Sequence, residues 1–311
     1  MMKDTNYTVV KEFLLLGFAN LHNFQSVLFC LVLLAFIICI FGNVTIISLI
    51  KMECTLHKPI YFFISIFATL ELIFITVTIP KFLAILIQRK KAITFIGCCA
   101  QLYAFNALGE TECFLLSSMV FDRYLAINNP LRYSAIMNHK LCSVLAVFPW
   151  LAGFFVSFFP TMSTAVMEFC GPNEIDHFFC DLAPLQNLAC SDPYKSNLLT
   201  VIAALLSTVL PFITIIILYI HIIFTVLKIQ SREGKMKAFS TCSSHLIVVC
   251  LFYGTVIAVY IRPNGSHYDK YLAIMYTVVT PLLNPFIYAL RNREVKHALI
   301  KLLWQHLKLR K

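Results

Sequence analysis

Stretches free of Asp, Glu, Lys and Arg cover residues 24–50, 141–167, 196–227, 238–261 and 271–290. Each is about 20 residues or longer, enough to cross roughly 30 Å of hydrocarbon as a helix. Two more apolar spans, 59–87 and 92–127, are as long but carry Glu71 in one and Glu110 and Glu112 in the other. The pattern predicts seven membrane-spanning helices. Pro80, Pro149, Pro211, Pro281 and Pro285 fall inside them, which is tolerable because neighbouring helices can satisfy the freed carbonyls. Past Arg291 the apolar positions Val295, Ala298, Leu299, Leu302, Leu303 and Leu307 share one helical face, flanked by Lys296, Lys301 and Lys308. That spacing predicts an amphipathic helix lying on the membrane rather than an eighth span. The expected class is therefore an all-α membrane protein: a polar segment over 1–23, a seven-helix bundle over 24–290, and a terminal amphipathic helix and tail over 291–311.

Composition agrees. Hydrophobic residues make up 59% and charged residues 13% of the 311, about half the charge usual in a soluble domain. With the N-terminus outside, 16 of the 25 Lys and Arg fall in the cytoplasmic loops and tail. The formal charge of +10 is then a cytoplasmic asymmetry obeying the positive-inside rule. Nucleic-acid binding is set aside, because the basic residues are divided among four short segments; Arg89-Lys90-Lys91 is a local exception on the outer side. Residues 1–23 lack a continuous apolar core, so the first helix is expected to serve as its own insertion signal. Asn6-Tyr7-Thr8 is a glycosylation sequon on the outer side, whereas Asn43-Val44-Thr45 lies within a helix and Asn264-Gly265-Ser266 in the last outer loop.

Polar groups inside the apolar spans are the candidates for function. At about 1.5 Å per residue, Glu71 lies roughly 18 Å above Pro59 and Glu112 roughly 16 Å above Arg123. Both carboxyls are thus near mid-membrane. With Asn43 and Asn284 they form one expected polar cluster, either a site for water and Na⁺ or a structural hydrogen-bond knot. Glu110 is about 200° from Glu112 on the helical wheel, so it should meet different neighbours. It sits a turn below Phe105 and Asn106, where a cavity open to the outside could end. Asp122-Arg123 closes the third apolar run, where hydrocarbon gives way to water, and Pro130-Leu131-Arg132-Tyr133 follows. There the arginine is held by its neighbour or released to a partner docking from the aqueous side. His245, on an apolar helix, reads as a hydrogen-bonded packing residue, with a protonation switch as the rival.

Of the 12 cysteines, Cys98, Cys99, Cys170, Cys180 and Cys190 fall on the outer side, where disulfides persist. Five such residues allow two bridges and one spare thiol. A zinc site is disfavoured, because the outer cysteines contain no Cys-x-x-Cys pair.

Gly42-Asn43, LHKPIYFF (56–63), TFIGC (94–98), MVFDRYLAI with PLRY (119–133), FCGPNEIDHFFCDLAPLQNLACSD (169–192), KAFSTCSSHL (237–246), FYG (252–254) and PLLNPFIYALRN (281–292) occur in that order. Together they resemble the odorant receptors, a branch of the rhodopsin-like G-protein-coupled receptors, over nearly the whole chain. The resemblance implies disulfides Cys98–Cys180 and Cys170–Cys190. It implies a G-protein switch formed by Asp122, Arg123 and Tyr124 with Tyr219, Asn284, Pro285 and Tyr288. It implies a ligand pocket lined by Phe105, Asn106, Gly109 and Glu110 on the third helix and by Ala203, Ser207 and Thr208 on the fifth. Tyr253, Val256, Ile257 and Tyr260 would come from the sixth helix, and Ile274 and Thr277 from the seventh. The implied partners are a small, mostly apolar odorant and a heterotrimeric G protein with the olfactory stimulatory α subunit, raising cyclic AMP. The implied place is the plasma membrane of olfactory cilia, with the N-terminus outside, Asn6 glycosylated and no cofactor beyond Na⁺ in the bundle. Departures are Phe121, Asn128-Asn129 and Leu218, where the family usually has Tyr, Cys-His and Ser, and Glu110, where it commonly has a small hydroxyl residue.

Two other classes remain. A transporter or channel finds support only in the intramembrane acids, since no repeat relates the two halves. An enzyme is weaker, because no metal-ligand spacing or nucleophile motif lies near a membrane surface.

Overall fold

Helices of hydrocarbon length form where the apolar runs are continuous. The computed structural model describes residues 10–18, 24–88, 91–170, 173–260 and 269–308, with some side chains within the helices left undescribed. Asn6, Arg89, Lys90, Asn264 and the side chain of Tyr260 lie outside the described residues. The first four long helices are Gln25–Met52, Pro59–Gln88, Phe95–Asn128 and His139–Ala165. The fifth runs through Tyr194–Ala204, a π-helical segment Leu205–Val209, and Leu210–Lys228. The sixth is Arg232–Tyr260. The seventh joins Asp269–Ile274, a second π segment Met275–Val279, and Thr280–Arg291. The terminal helix, Arg293–Lys308, buries Val295 and Ala298 and is tied to the bundle by Lys58–Glu294 and Lys301–Glu53 ion pairs at 2.7 and 2.9 Å.

Five of these helices are long and apolar enough to cross a membrane by length and composition. The third misses that mark because Asn106, Glu110, Thr111 and Glu112 interrupt it, and the sixth meets it only over the shorter Cys242–Ala258. Phe24, Phe41, Leu151, Phe155 and Leu227 stand exposed on the outside of the bundle, as side chains solvated by lipid do. The protein is a helical membrane bundle.

Two boundaries differ from the sequence reading. The third helix starts at Phe95, not Ala92, because 92–94 pair as a strand and Thr94 caps the helix by accepting from Gly97 N at 3.1 Å. The sixth begins at Arg232, six residues before the apolar run 238–261 opens.

One end of the bundle carries a small sheet. Strand β1 (Glu12–Leu15) is central, antiparallel to β2 (Ala92–Thr94) and parallel to β3 (Glu174–Ile175). Leu14 pairs with Ala92 on one side and Glu174 on the other. Phe13, Leu15 and Ile175 point into an apolar cluster with Cys98, Cys180 and Leu185. Cys98 is bonded to Cys180, and Cys170 to Cys190; Cys99 is free. The loop between the fourth and fifth helices is thereby held over the bundle.

Proline placement explains a contact between the first and seventh helices. Pro285 has no N–H, so the carbonyl of Pro281, one turn earlier, loses its helical donor. The thiol of Cys39 reaches that carbonyl at 3.3 Å. A Cβ built on Gly42 would lie 2.8 Å from the Pro285 ring, so only glycine lets the helices close to this distance.

Candidate functional site

A cavity of about 180 Å³ opens beneath the sheet, between the third, fifth, sixth and seventh helices. Phe105, Asn106, Gly109 and Glu110 reach it from the third helix, Ala203, Ser207 and Thr208 from the fifth, and Val256 from the sixth. A Cβ on Gly109 would meet nothing within 4 Å, so this glycine keeps space open. The π segment adds a residue to the fifth helix just where Ser207 and Thr208 face the cavity.

Four residues expected at the ligand lie elsewhere. Tyr253 is 2% exposed and stacks 4.6 Å from Phe212, one shell behind the cavity wall formed by Phe252. Ile257 is 39% exposed and is not part of the cavity wall. Thr277 is buried and donates to Ala273 O at 2.6 Å, while Ile274 packs on a second apolar cluster that contains Phe82, Phe178 and Phe179. Tyr276 lines the cavity from the seventh helix instead. On the seventh helix both Tyr276, which lines the cavity, and Thr277, which does not, fall in the π segment 275–279, where the regular helical register is broken. Sequence reasoning also passed over Thr200, Ala204, Asp181, Leu182 and Phe252. The first two complete a 200, 203/204, 207/208 stripe on the fifth helix, a helical period that was there to be read.

Glu110 and Glu112 meet different neighbours yet border the same cavity. Glu110 lies beside Ser207, whose hydroxyl donates to Ala203 O at 2.8 Å, and Glu112 lies near Glu71. The cavity wraps around the inward face of the third helix from Phe74 to Ala203, so two long side chains about 200° apart can both touch it.

Below the cavity is the polar cluster. Asn284 Nδ2 donates to Glu71 Oε1 at 2.5 Å, and both residues are buried. Glu71 Oε2, Glu112 Oε1, Asn284 Oδ1 and the Tyr288 hydroxyl have no hydrogen-bond partner among the described residues. These oxygens are the donor type a hard cation takes, although no group of three or more His, Cys, Asp or Glu converges among the described residues. Asn43 departs from the expected cluster. Its amide donates to Cys39 O at 3.1 Å and to Cys39 Sγ at 3.4 Å, so its route to the seventh helix runs through the thiol on Pro281.

At the opposite end, Arg123 is held by Asp122: Nε donates to Oδ2 at 3.0 Å and Nη2 donates to the same oxygen. The Tyr133 hydroxyl donates to Asp122 Oδ1 at 2.6 Å. Burial, and then the Asp122 charge, hold that phenol above the usual tyrosine range, so it stays a donor. Arg123, Tyr133, His245 and Tyr288 line a second cavity of about 1000 Å³, open at this end. Tyr219 is not on Arg123; its hydroxyl and His245 Nδ1 are hydrogen-bonded at 2.7 Å. Tyr124 packs between Phe121 and His221. Pro285 makes the close approach to Gly42.

Comparison with known proteins decides the family. The olfactory receptor family model matches residues 29–306. Human "Olfactory receptor 10A7" is 44% identical over 303 residues, covering 96% of both chains. Rat "Olfactory receptor 1f45" is 45% identical, covering 97% of both chains, and mouse "Olfactory receptor 5G9" is 43% identical, covering 96% of both. The chain belongs to the olfactory receptor family. Olfactory receptors are G-protein-coupled receptors, not enzymes, and the apolar helices make this one a multi-pass membrane protein.

Proposed function

We propose that this olfactory receptor binds a small odorant in the cavity near Glu110 and thereby frees Arg123 to engage the C-terminal segment of a stimulatory G protein. The observation that carries the reading is the pair of cavities at opposite ends of one bundle, joined by the column Glu112, Glu71, Asn284 and Tyr288. The upper cavity, at about 180 Å³, has room for a single-ring molecule, and its lining is apolar with a few polar groups as in ligand sites. The lower is several times larger and has Arg123 in its wall. The disulfide end faces outward in this reading, since bridges persist in oxidising compartments. The N-terminus with Asn6 is then extracellular, and the receptor sits in the plasma membrane of sensory cilia.

Ligand shifts the population only as far as it prefers one state. In the state described, Arg123 is occupied by Asp122 and Tyr219 by His245. Outward movement of the sixth helix carries His245 away, leaving Tyr219 and Tyr288 to the arginine and opening the lower cavity. Glu71, Glu112 and Asn284 would hold Na⁺, which supplies a counter-charge to carboxylates in mid-membrane. Stacked beneath the ligand, they relay its arrival to Tyr288.

The test is cyclic AMP in cells expressing the receptor, wild type against Arg123→Ala. At equal surface density the substitution should abolish the agonist response. An unchanged response, or topology mapping that puts residue 123 outside the cell, overturns the reading.

A further inference from the structure

The upper cavity is one-sided in charge. Glu110, Glu112 and Asp181 border it, and among the described residues no Lys, Arg or His does. Glu112 is 6% exposed, lies in the cavity wall, and keeps Oε1 without a hydrogen-bond partner among the described residues. Glu110 repeats the arrangement higher up: Ser207 beside it donates its hydroxyl to Ala203 O at 2.8 Å, and Glu110 Oε2 is buried and unpartnered among the described residues. A buried carboxyl oxygen facing such a space is costly unless the space holds a donor. The remaining wall is largely aromatic, with Phe74, Phe105, Phe252 and Tyr276.

The geometry points to a small organic amine, bound as its ammonium, as the ligand class of this cavity, with Glu110 as its counter-ion. An ammonium carries three donors and a charge opposite to the acids, and its hydrocarbon part suits aromatic faces that also attract cations. Esters, ketones and ethers offer only acceptors, which can pair with a protonated carboxyl but supply neither a donor nor a charge to a carboxylate. Carboxylic acids would add a further anion to an acidic wall. Glu110 is the better counter-ion because Glu112 already faces Glu71. Size narrows the class further: a cavity of about 150 Å³ holds benzene. The 180 Å³ here takes one six-membered ring with a short aminoalkyl arm. Glu112, one layer deeper, is the second acceptor and links the guest to Asn284 through Glu71.

This inference rests on the receptor reading above, and its test separates the two. Cells expressing the wild-type receptor are given benzylamine and cyclohexylamine, then the uncharged counterparts benzyl alcohol, ethylbenzene and cyclohexanol, with cyclic AMP as the readout. The amines should act at concentrations at least tenfold below their counterparts. Glu110→Gln, brought to equal surface density, should weaken the amines at least tenfold and leave any response to the alcohols within about threefold. Equal potency of amine and uncharged counterpart on wild type overturns the assignment, and this arm needs no variant to fold. So does an amine response that Glu110→Gln leaves unchanged. If no amine acts but a ketone or ester does, the amine assignment falls while the receptor reading stands. If an agonist is found and Arg123→Ala leaves its signal intact, the receptor reading falls.

Discussion

At Gly109 an added Cβ would meet nothing within 4 Å, whereas at Gly153 it would lie 2.4 Å from Thr111 Oγ1 and 2.7 Å from Thr111 N. The first glycine keeps a cavity open and the second lets the fourth helix lie against the third. Gly109→Val should therefore melt close to wild type in detergent while losing about tenfold in agonist potency, because the side chain occupies ligand space. Gly153→Val should cost about 1–3 kcal/mol, the usual range for overpacking, read as a lower melting temperature and poor surface expression. The reverse ranking would mean that the cavity and the helix contact have been misassigned. Glycine in a sequence cannot announce which of these it does, since both depend on what stands opposite. The acids were more legible. Depth placed Glu71 and Glu112 together, and the wheel gave Glu110 different neighbours, because a helix has a fixed rise and turn. Asn43 was misplaced for a local reason. Its amide found Cys39 one turn away, and the thiol's role depends on a carbonyl freed by a proline 246 residues later in the chain.

At the scale of elements, the fifth and sixth helices are joined near the lower cavity by Tyr219 and His245. The bond is buried, and a buried hydrogen bond is worth about 1 kcal/mol net, near a fivefold change in a two-state ratio. His245→Leu keeps the bulk and removes the bond. Basal cyclic AMP per surface receptor should rise roughly fivefold. An unaltered basal level would mean that His245 is a hydrogen-bonded packing residue with no part in the two-state balance, the plainer of its two readings. Helix number and most helix limits could be read from apolar runs, because lipid demands about 20 such residues whatever the partner; the starts of the third and sixth helices could not. The π segments could not. Each is one added residue in a helix, invisible to periodicity, and the second holds both Tyr276, which lines the cavity, and Thr277, which does not.

On the scale of the whole molecule, the sheet and the loop above the ligand cavity act as one cap. His177 lies buried in it, stacked on Phe178, with Nδ1 accepting from Phe179 N at 3.4 Å. Burial pushes its imidazole down to about 3 from 6.5; the Phe179 backbone and Asp176 oppose this, and Lys270 adds to it. The ring is thus neutral in the folded cap, while an opened cap takes up a proton below about 6.5. Between pH 6.5 and 3 the open form binds more protons, so the cap loses stability as pH falls through that window. Proteolysis or hydrogen exchange over 173–181 should quicken at pH 5 relative to pH 7.5, and His177→Phe should flatten the difference. A wild-type cap equally protected at both values would refute the argument. The cap is also the part least legible beforehand. Its strands are two to four residues long, and their partners are set by loops far apart in the chain.

That separation bears on how the receptor is made. The central strand leaves the ribosome before any helix of the bundle, yet Asn173, which donates to Glu12 O, follows 161 positions later. Four helices must be threaded into the bilayer before the opening segment finds its second neighbour. The roof over the binding chamber therefore closes late in biosynthesis, and a nascent chain stalled before Glu174 would carry its leading strand without that neighbour.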